Sequence, residues 1–155
     1  MRVSEILDPG AVKLLAKASS KKRLFSEIAD IAGGVYGLRH NDAFPALQER
    51  ETLGPTGVGG GVALPHARLD GLDRVHGVFA RLETPLDFEA ADRKPVDLVF
   101  ALFAPEGAGV AHLKALALVS RTLRDPGLCA KLRANADPAI LYAILTEAQT
   151  SDAAA

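Results

Sequence analysis

The chain holds a single cysteine, no tryptophan, two tyrosines and six phenylalanines among 155 residues, and its formal net charge is −1. Each scarcity excludes something. One cysteine, Cys129, allows neither an intrachain disulfide nor a thiolate metal cluster, and its setting in "GLCAKL" marks it as a core or half-core residue. A nearly neutral balance gives no electrostatic reason to expect nucleic acid or a membrane surface as partner. The largest positive run, Lys21-Lys22-Arg23, reads as a solvated helix start. No stretch approaches the ~20 apolar residues of a membrane-crossing helix, and the first ten residues, "MRVSEILDPG", have too short an apolar run for a secretion signal. The address these absences suggest is the cytoplasm.

What is present is ordinary globular material: 48% hydrophobic and 24% charged residues. A chain of this length buries roughly 70% of its extended surface and folds without staples, most simply as one domain over residues 1–155. Ser19-Ser20 precede Leu24, Ile28, Ile31, Val35 and Leu38, a helical spacing with a serine cap and glycines at 33, 34 and 37 to end it. Asn41 or Asp42 caps a second helix running to about Leu53, with Pro45 in its first turn and Gly54-Pro55 beyond its end. "GVALP" reads as a short strand and Val75–Glu83 as another. Val96–Ala104, almost continuously apolar, reads as a central strand covered on both faces. A helix from about Val110 shows Leu113, Leu116, Ala117, Ser120 and Leu123 as one face. Two shorter helices follow near Leu128–Arg133 and Pro138–Ala148, and the tail "SDAAA" frays. The fold class is α/β: a mixed β-sheet flanked by helices on both faces, a three-layer sandwich.

Four histidines are candidates for chemistry. His40, just before the second helix, reads as a loop residue, and His76, opening an apolar strand, as an edge or core position. His66 stands out in "TGVGGGVALPHARL". Pro65 stiffens the exit from the strand, the glycines permit a sharp turn or close approach, and strand ends beside such loops are where α/β sheets place ligands. The alternative is a hairpin whose glycines serve only the turn. His112 falls in the first turn of a helix, where free amides and the helix dipole favour an anion, unless it is merely a solvated helix-start residue. Arg50, before "LGPTGVGGG", could fold over the glycine loop and clamp a phosphate, or simply stand exposed near a helix end.

Other motifs fail. There is no G-x-x-x-x-G-K-[ST], no H-E-x-x-H and no G-x-S-x-G around Ser120. His66, His112 and Asp70 could in principle hold zinc, but nothing in the spacing asks for a metal, and no cofactor is implied.

Three segments occur in a familiar order: "RETLGPTGVGGGVALPHARL", "LETPLDFEAADRKPVDLVFALFAPEG" and "HLKALALVSRTLRD". With them the chain resembles the mannitol/fructose-type enzyme IIA domain of the bacterial phosphoenolpyruvate-dependent phosphotransferase system, over roughly Ser4 to Glu147. Within that family it looks most like the nitrogen-regulatory branch. Gly60 stands where relatives often carry asparagine. The resemblance implies a phosphocarrier that accepts a phosphoryl group on His66, with His112 and Arg50 as the other site residues. It also implies an HPr-like carrier (HPr or NPr) as donor, and regulatory target proteins or a IIB component as recipients. Two other roles stay open: a stand-alone fructose- or mannitol-type transport subunit, and a regulatory module that binds partners without being phosphorylated.

Overall fold

A computed structural model describes the backbone of residues 1–154 and the side chains of residues 1–147. The elements in chain order are α1 (Val3–Ile6), β1 (Leu7–Leu15), α2 (Lys21–Tyr36), α3 (His40–Thr52), β2 (Gly57–Gly59), β3 (Val62–Ala63), β4 (His66–Leu69), β5 (His76–Leu86), β6 (Val96–Pro105), α4 (Gly109–Leu123), α5 (Pro126–Arg133) and α6 (Pro138–Ala154). The sheet runs β1-β5-β6-β3-β2, and β4 also pairs with β6. β5 lies antiparallel to β6 and parallel to β1, whereas β3 and β4 both run parallel to β6. The expected mixed sheet between helices is therefore present.

β6 is central because its sequence leaves it no other place. Leu98 through Ala104 are all buried, on both faces of the pleat, and so are Gly77 through Ala80 of β5. A strand with apolar side chains on both faces needs cover on both. α2 packs on β5 and β1, and α3 packs on α2 and β4. α4 packs on β6, α6 on β1, and α5 bridges α4 and α6. The packing is aromatic at its centre: Phe79 meets Phe100 edge-on at 6.1 Å, and Phe25 meets Phe88 likewise.

Several local readings need correction. α1 and β1 were not anticipated. β1 carries Asp8-Pro9-Gly10 in its first half, and its pairing with β5 slips between Leu7 and Val12. That irregularity hides the period-2 signal. Tyr36 fills the gap: its hydroxyl accepts from the Asp8 amide at 2.9 Å and donates to the Gly77 carbonyl at 2.7 Å. α3 starts one residue before its supposed caps, with Arg39 as N-cap and no side-chain cap bond. His40 is thus helical, within 3.2 Å of Ser26 Oγ, rather than a loop residue. Pro45 lies beyond the first turn, and both it and Asn41, whose carbonyl its missing N–H would have served, are exposed.

α4 buries His112, Ala115, Leu118, Val119, Thr122 and Leu123, while Leu113 is 65% exposed, so the expected face was rotated. Lys21 is not solvated like Lys22 and Arg23. It pairs with Glu51 at 3.0 Å and Glu89 at 3.3 Å and lies over the Phe88 ring. α6 continues to Ala154 through most of the segment expected to fray, and Ala155 lies outside the described residues. The caps expected at Ser20 and Asp137 form, and Asp125, read only as a break after the preceding helix, caps α5, which starts at Pro126 rather than near Leu128.

Gly77 of β5 pairs with Leu7 of β1 on one side and Leu102 of β6 on the other. A methyl group there would stand 2.7 Å from Phe100 Cε1 and 3.1 Å from the Ile6 carbonyl oxygen. Phe100 is 1% exposed and cannot step aside. Gly77→Ala is expected to cost roughly 1–3 kcal/mol by overpacking. Gly34→Ala, in α2 with nothing within 4 Å, is expected to gain about 0.5–1 kcal/mol. Urea midpoints of the two variants, measured together, check both signs.

Candidate functional site

The glycine run forms a hairpin. β2 and β3 pair antiparallel, with Gly59, Gly60 and Gly61 all at positive φ, which a residue with a Cβ rarely adopts. Its tip is held by Asp92, which accepts from the Gly60 amide at 2.9 Å, and by Arg133, which donates to the Gly60 carbonyl and pairs with Asp97. The glycines serve this turn and do not line the cavity that holds His66.

After β3 the chain breaks step at Leu64-Pro65 and then resumes pairing with β6 as β4. The register is the same on both sides of the break, Ala63 opposite Val99 and His66 opposite Leu102. Pro65 has no N–H to offer the ladder, but its carbonyl still accepts from the Leu102 amide at 2.9 Å. The Leu64 amide donates instead to the Thr56 carbonyl at 3.0 Å. The Leu64 carbonyl turns to the histidine, and His66 Nδ1 lies 2.8 Å from it. A carbonyl can only accept, so Nδ1 carries the proton and Nε2 keeps the lone pair. His66 is therefore not a residue leaving a strand, as its proline suggested, but the first residue of one.

His66, His112 and Arg50, the three residues singled out from sequence, line one cavity of about 360 Å³ together with Ala46, Glu49, Leu53, Ala67 and Arg68. The two imidazoles meet at a tilt of 70° with ring centroids 5.4 Å apart. His112 is only 5% exposed, in contrast to the solvated helix-start alternative, and its own amide is taken up by the Ala108 carbonyl. Arg50 does not reach over the glycine hairpin. Its Nη1 donates to the Gly54 carbonyl at 3.0 Å, which keeps the guanidinium at the cavity wall near the end of α3.

Arg68 was missed. Its Nε donates to His112 Nδ1 at 3.3 Å. The signal was available once His66 is placed in a strand, because residues two apart in a strand point to the same face. Glu51 was missed as well. Its carboxylate accepts from the Thr56 hydroxyl at 2.5 Å, the Thr56 amide at 3.0 Å and Lys21 Nζ at 3.0 Å. It ties the end of α3, with Arg50, to the strand entry that leads to His66.

Burial is the main force on both imidazoles and pushes their pKa values below the usual 6.5. For His66 the Leu64 hydrogen bond works against this, Arg50 and Arg68 add to it, and Glu51 opposes it. For His112 the neighbouring His66 and Arg68 push the same way as burial. The cavity thus offers two neutral imidazoles, one with a free ring lone pair, beside two permanent cations. That set can bind a dianion and can attack an electrophilic phosphorus. Among the described residues, no group of three or more histidine, cysteine and carboxylate side chains is placed to hold a metal ion, and no helix is long and apolar enough to cross a membrane.

Comparison with known proteins gives the family. The family described as "Phosphoenolpyruvate-dependent sugar phosphotransferase system, EIIA 2" matches residues 5–148. The nitrogen regulatory protein of Bradyrhizobium diazoefficiens is 46% identical over 145 residues, covering 94% of this chain and 95% of that protein. The nitrogen regulatory protein of Escherichia coli K12 is 38% identical over 150 residues, covering 96% and 92%. In three dimensions the crystal structure of nitrogen regulatory protein IIA-Ntr from Neisseria meningitidis superposes with a TM-score of 0.83 at 38% identity, covering 92% of this chain and 97% of that one. The chain belongs to the type 2 EIIA family of the phosphoenolpyruvate-dependent sugar phosphotransferase system.

Proposed function

We propose that the protein is a phosphocarrier whose acceptor is Nε2 of His66, working as a nitrogen-regulatory signalling protein of the cytoplasm. The observation that carries this reading is the 2.8 Å contact between His66 Nδ1 and the Leu64 carbonyl, beside the two arginines. It leaves Nε2 as the nucleophile at neutral pH. The Nε2 lone pair attacks the phosphorus of a phosphohistidine on an HPr-like carrier. As the new N–P bond forms, the donor's P–N bond breaks and the donor nitrogen recovers its electron pair. The ring of His66 becomes cationic, and the Leu64 carbonyl stabilises the proton it keeps on Nδ1.

The transfer passes through a loose transition state, so catalysis is mostly positioning and charge stabilisation. Arg50 balances the dianion, and His112 hydrogen-bonds the phosphoryl oxygens. Relatives named nitrogen regulatory proteins favour the regulatory branch, with protein targets as the readers of the phosphorylation state. A IIB component as recipient is the alternative. Loss of sugar uptake on deletion, with transfer to a cognate IIB protein, would favour it.

Phosphoenolpyruvate with the upstream carriers is expected to add one acid-labile phosphoryl group. His66→Ala is expected to remove labelling altogether. His112→Ala is expected to keep the acceptor and slow its loading by about 10²-fold, the order found when one preorganised donor is deleted. Labelling of His66→Ala to the wild-type extent would overturn the assignment; intact-mass analysis under alkaline conditions reads both variants.

The protonation state gives a second expectation. The His66 imidazole titrates below 6.5 in the folded protein, so its acceptor form persists through neutral pH and is lost as pH falls. Arg50→Met removes a cation and is expected to move that titration upward, as followed by the ring proton shifts. His66, His76 and His112 are all shifted down. A histidine kept neutral by the fold contributes stability that is fully present above its unfolded value of 6.5 and is lost as pH falls from there through the lowered folded value. The urea midpoint is therefore expected to fall as pH drops below about 6.5.

A further inference from the structure

The transfer just described gives work to His66, His112 and Arg50 and none to Arg68. Arg68 follows His66 by two positions in β4, and its Nε lies 3.3 Å from His112 Nδ1. A guanidinium has donors only, so the ring nitrogen it touches must accept. A neutral imidazole carries one N–H. With Nδ1 accepting, the proton stands on Nε2. That atom is buried and has no hydrogen-bond partner among the described residues, although buried donors are nearly always paired. The ring that holds it meets the His66 ring in the shared cavity at a centroid distance of 5.4 Å. In the opposite tautomer Nδ1–H would face the Arg68 N–H, donor against donor, and an Nε2 lone pair would face the oxygens of any phosphoryl group on His66.

We infer that Arg68 is a positioning residue: it holds His112 in the Nε2–H tautomer, so that an otherwise unpaired ring donor is presented to a phosphoryl group carried by His66. The inference rests on the phosphocarrier reading for its purpose, but the tautomer itself is a property of the unphosphorylated protein. Lysine at this position has a donor but only a single mobile one, so it restores the contact in part.

Long-range nitrogen–proton NMR of the unphosphorylated protein near neutral pH distinguishes the two ring nitrogens of His112. In the wild type it is expected to show a protonated Nε2 and an accepting Nδ1. In Arg68→Leu, whose site is exposed and whose fold is checked by the same spectra, a mixture of tautomers is expected. Loading of His66 from the phosphorylated carrier should slow roughly tenfold in the turnover step, the order for losing one hydrogen bond to a charged group, with the final extent unchanged. Arg68→Lys is expected to recover part of both. A wild-type tautomer population in Arg68→Leu overturns the inference. So does a slowed transfer with an unchanged tautomer, which would make Arg68 a charge and nothing more. A shifted tautomer in a protein whose wild type never accepts phosphoryl supports the positioning role and overturns the phosphocarrier reading instead.

Discussion

The site depends on one peptide group that has been taken out of the sheet. β3 and β4 lie along the same side of β6 in unbroken register, and between them Leu64 and Pro65 leave the regular ladder. A proline in the middle of a strand ordinarily costs a ladder hydrogen bond. Here the bonds are redistributed rather than lost. Leu64 donates to Thr56, Pro65 accepts from Leu102, and the Leu64 carbonyl receives His66 Nδ1. The His66 ring is thereby oriented by backbone that is itself clamped to the most buried strand of the molecule. A side chain on a free loop would have to be ordered at each encounter with a partner. This one is ordered when the protein folds, and its entropy cost lies in folding rather than in the transfer step.

Charge around that ring is arranged in two opposing layers. Lining the cavity are Arg50 and Arg68, which add to the burial that keeps the His66 imidazole neutral and can attract a dianion. Behind Arg50 stands Glu51, whose side chain is 8% exposed and satisfied by Lys21 and Thr56. The carboxylate of Glu51 opposes the depression that burial, Arg50 and Arg68 impose on His66. The same carboxylate fixes Thr56, whose carbonyl receives the Leu64 amide. One side chain thus contributes to both the electrostatics and the geometry of the His66 ring. Lys21 links this arrangement to the start of α2 and to Phe88 in the core, which is why the basic run at 21–23 is not simply a solvated helix start.

How much of this could be read from the sequence follows from which signals are local. The central strand was legible because seven consecutive buried residues in β6 leave no alternative. The helix caps at Ser20 and Asp137 were legible because each bonds within three residues of itself. β1 was not, since its identity lies in the pairing with β5 and its first half carries Asp-Pro-Gly. The face of α4 was misjudged because Leu113 suggests a core position, whereas the helix buries His112 beside it to serve the cavity. His66, His112 and Arg50 were singled out from the sequence and lie on one cavity, whereas Arg68 on the same cavity and Glu51 behind it were not singled out. Arg68 became visible only when His66 was seen to begin a strand rather than end one. The function of Glu51 is written in contacts with residues 5 and 30 positions away, beyond any local pattern.

A carrier must release what it binds, and this constrains the cavity further. If every donor around the acceptor were paired tightly to the phosphoryl group, the loaded state would be too stable to pass it on. In the free protein Arg50 is already bonded to the Gly54 carbonyl and Arg68 to His112. Each must exchange or share that contact to engage an anion, so the gain on loading is a difference between two hydrogen-bonded states and remains modest. The resting contacts also hold the cations in place, which keeps the site ready without drawing the arginines into solvent. Leu53 at the cavity edge is 80% exposed, with Val110 and Leu113 exposed on the helix that carries His112. A partner that covers Leu53 on docking excludes water from the cavity beside it. The electrostatic terms therefore grow stronger in the docked complex, where transfer takes place, than in the free carrier, where hydrolysis would waste the phosphoryl group.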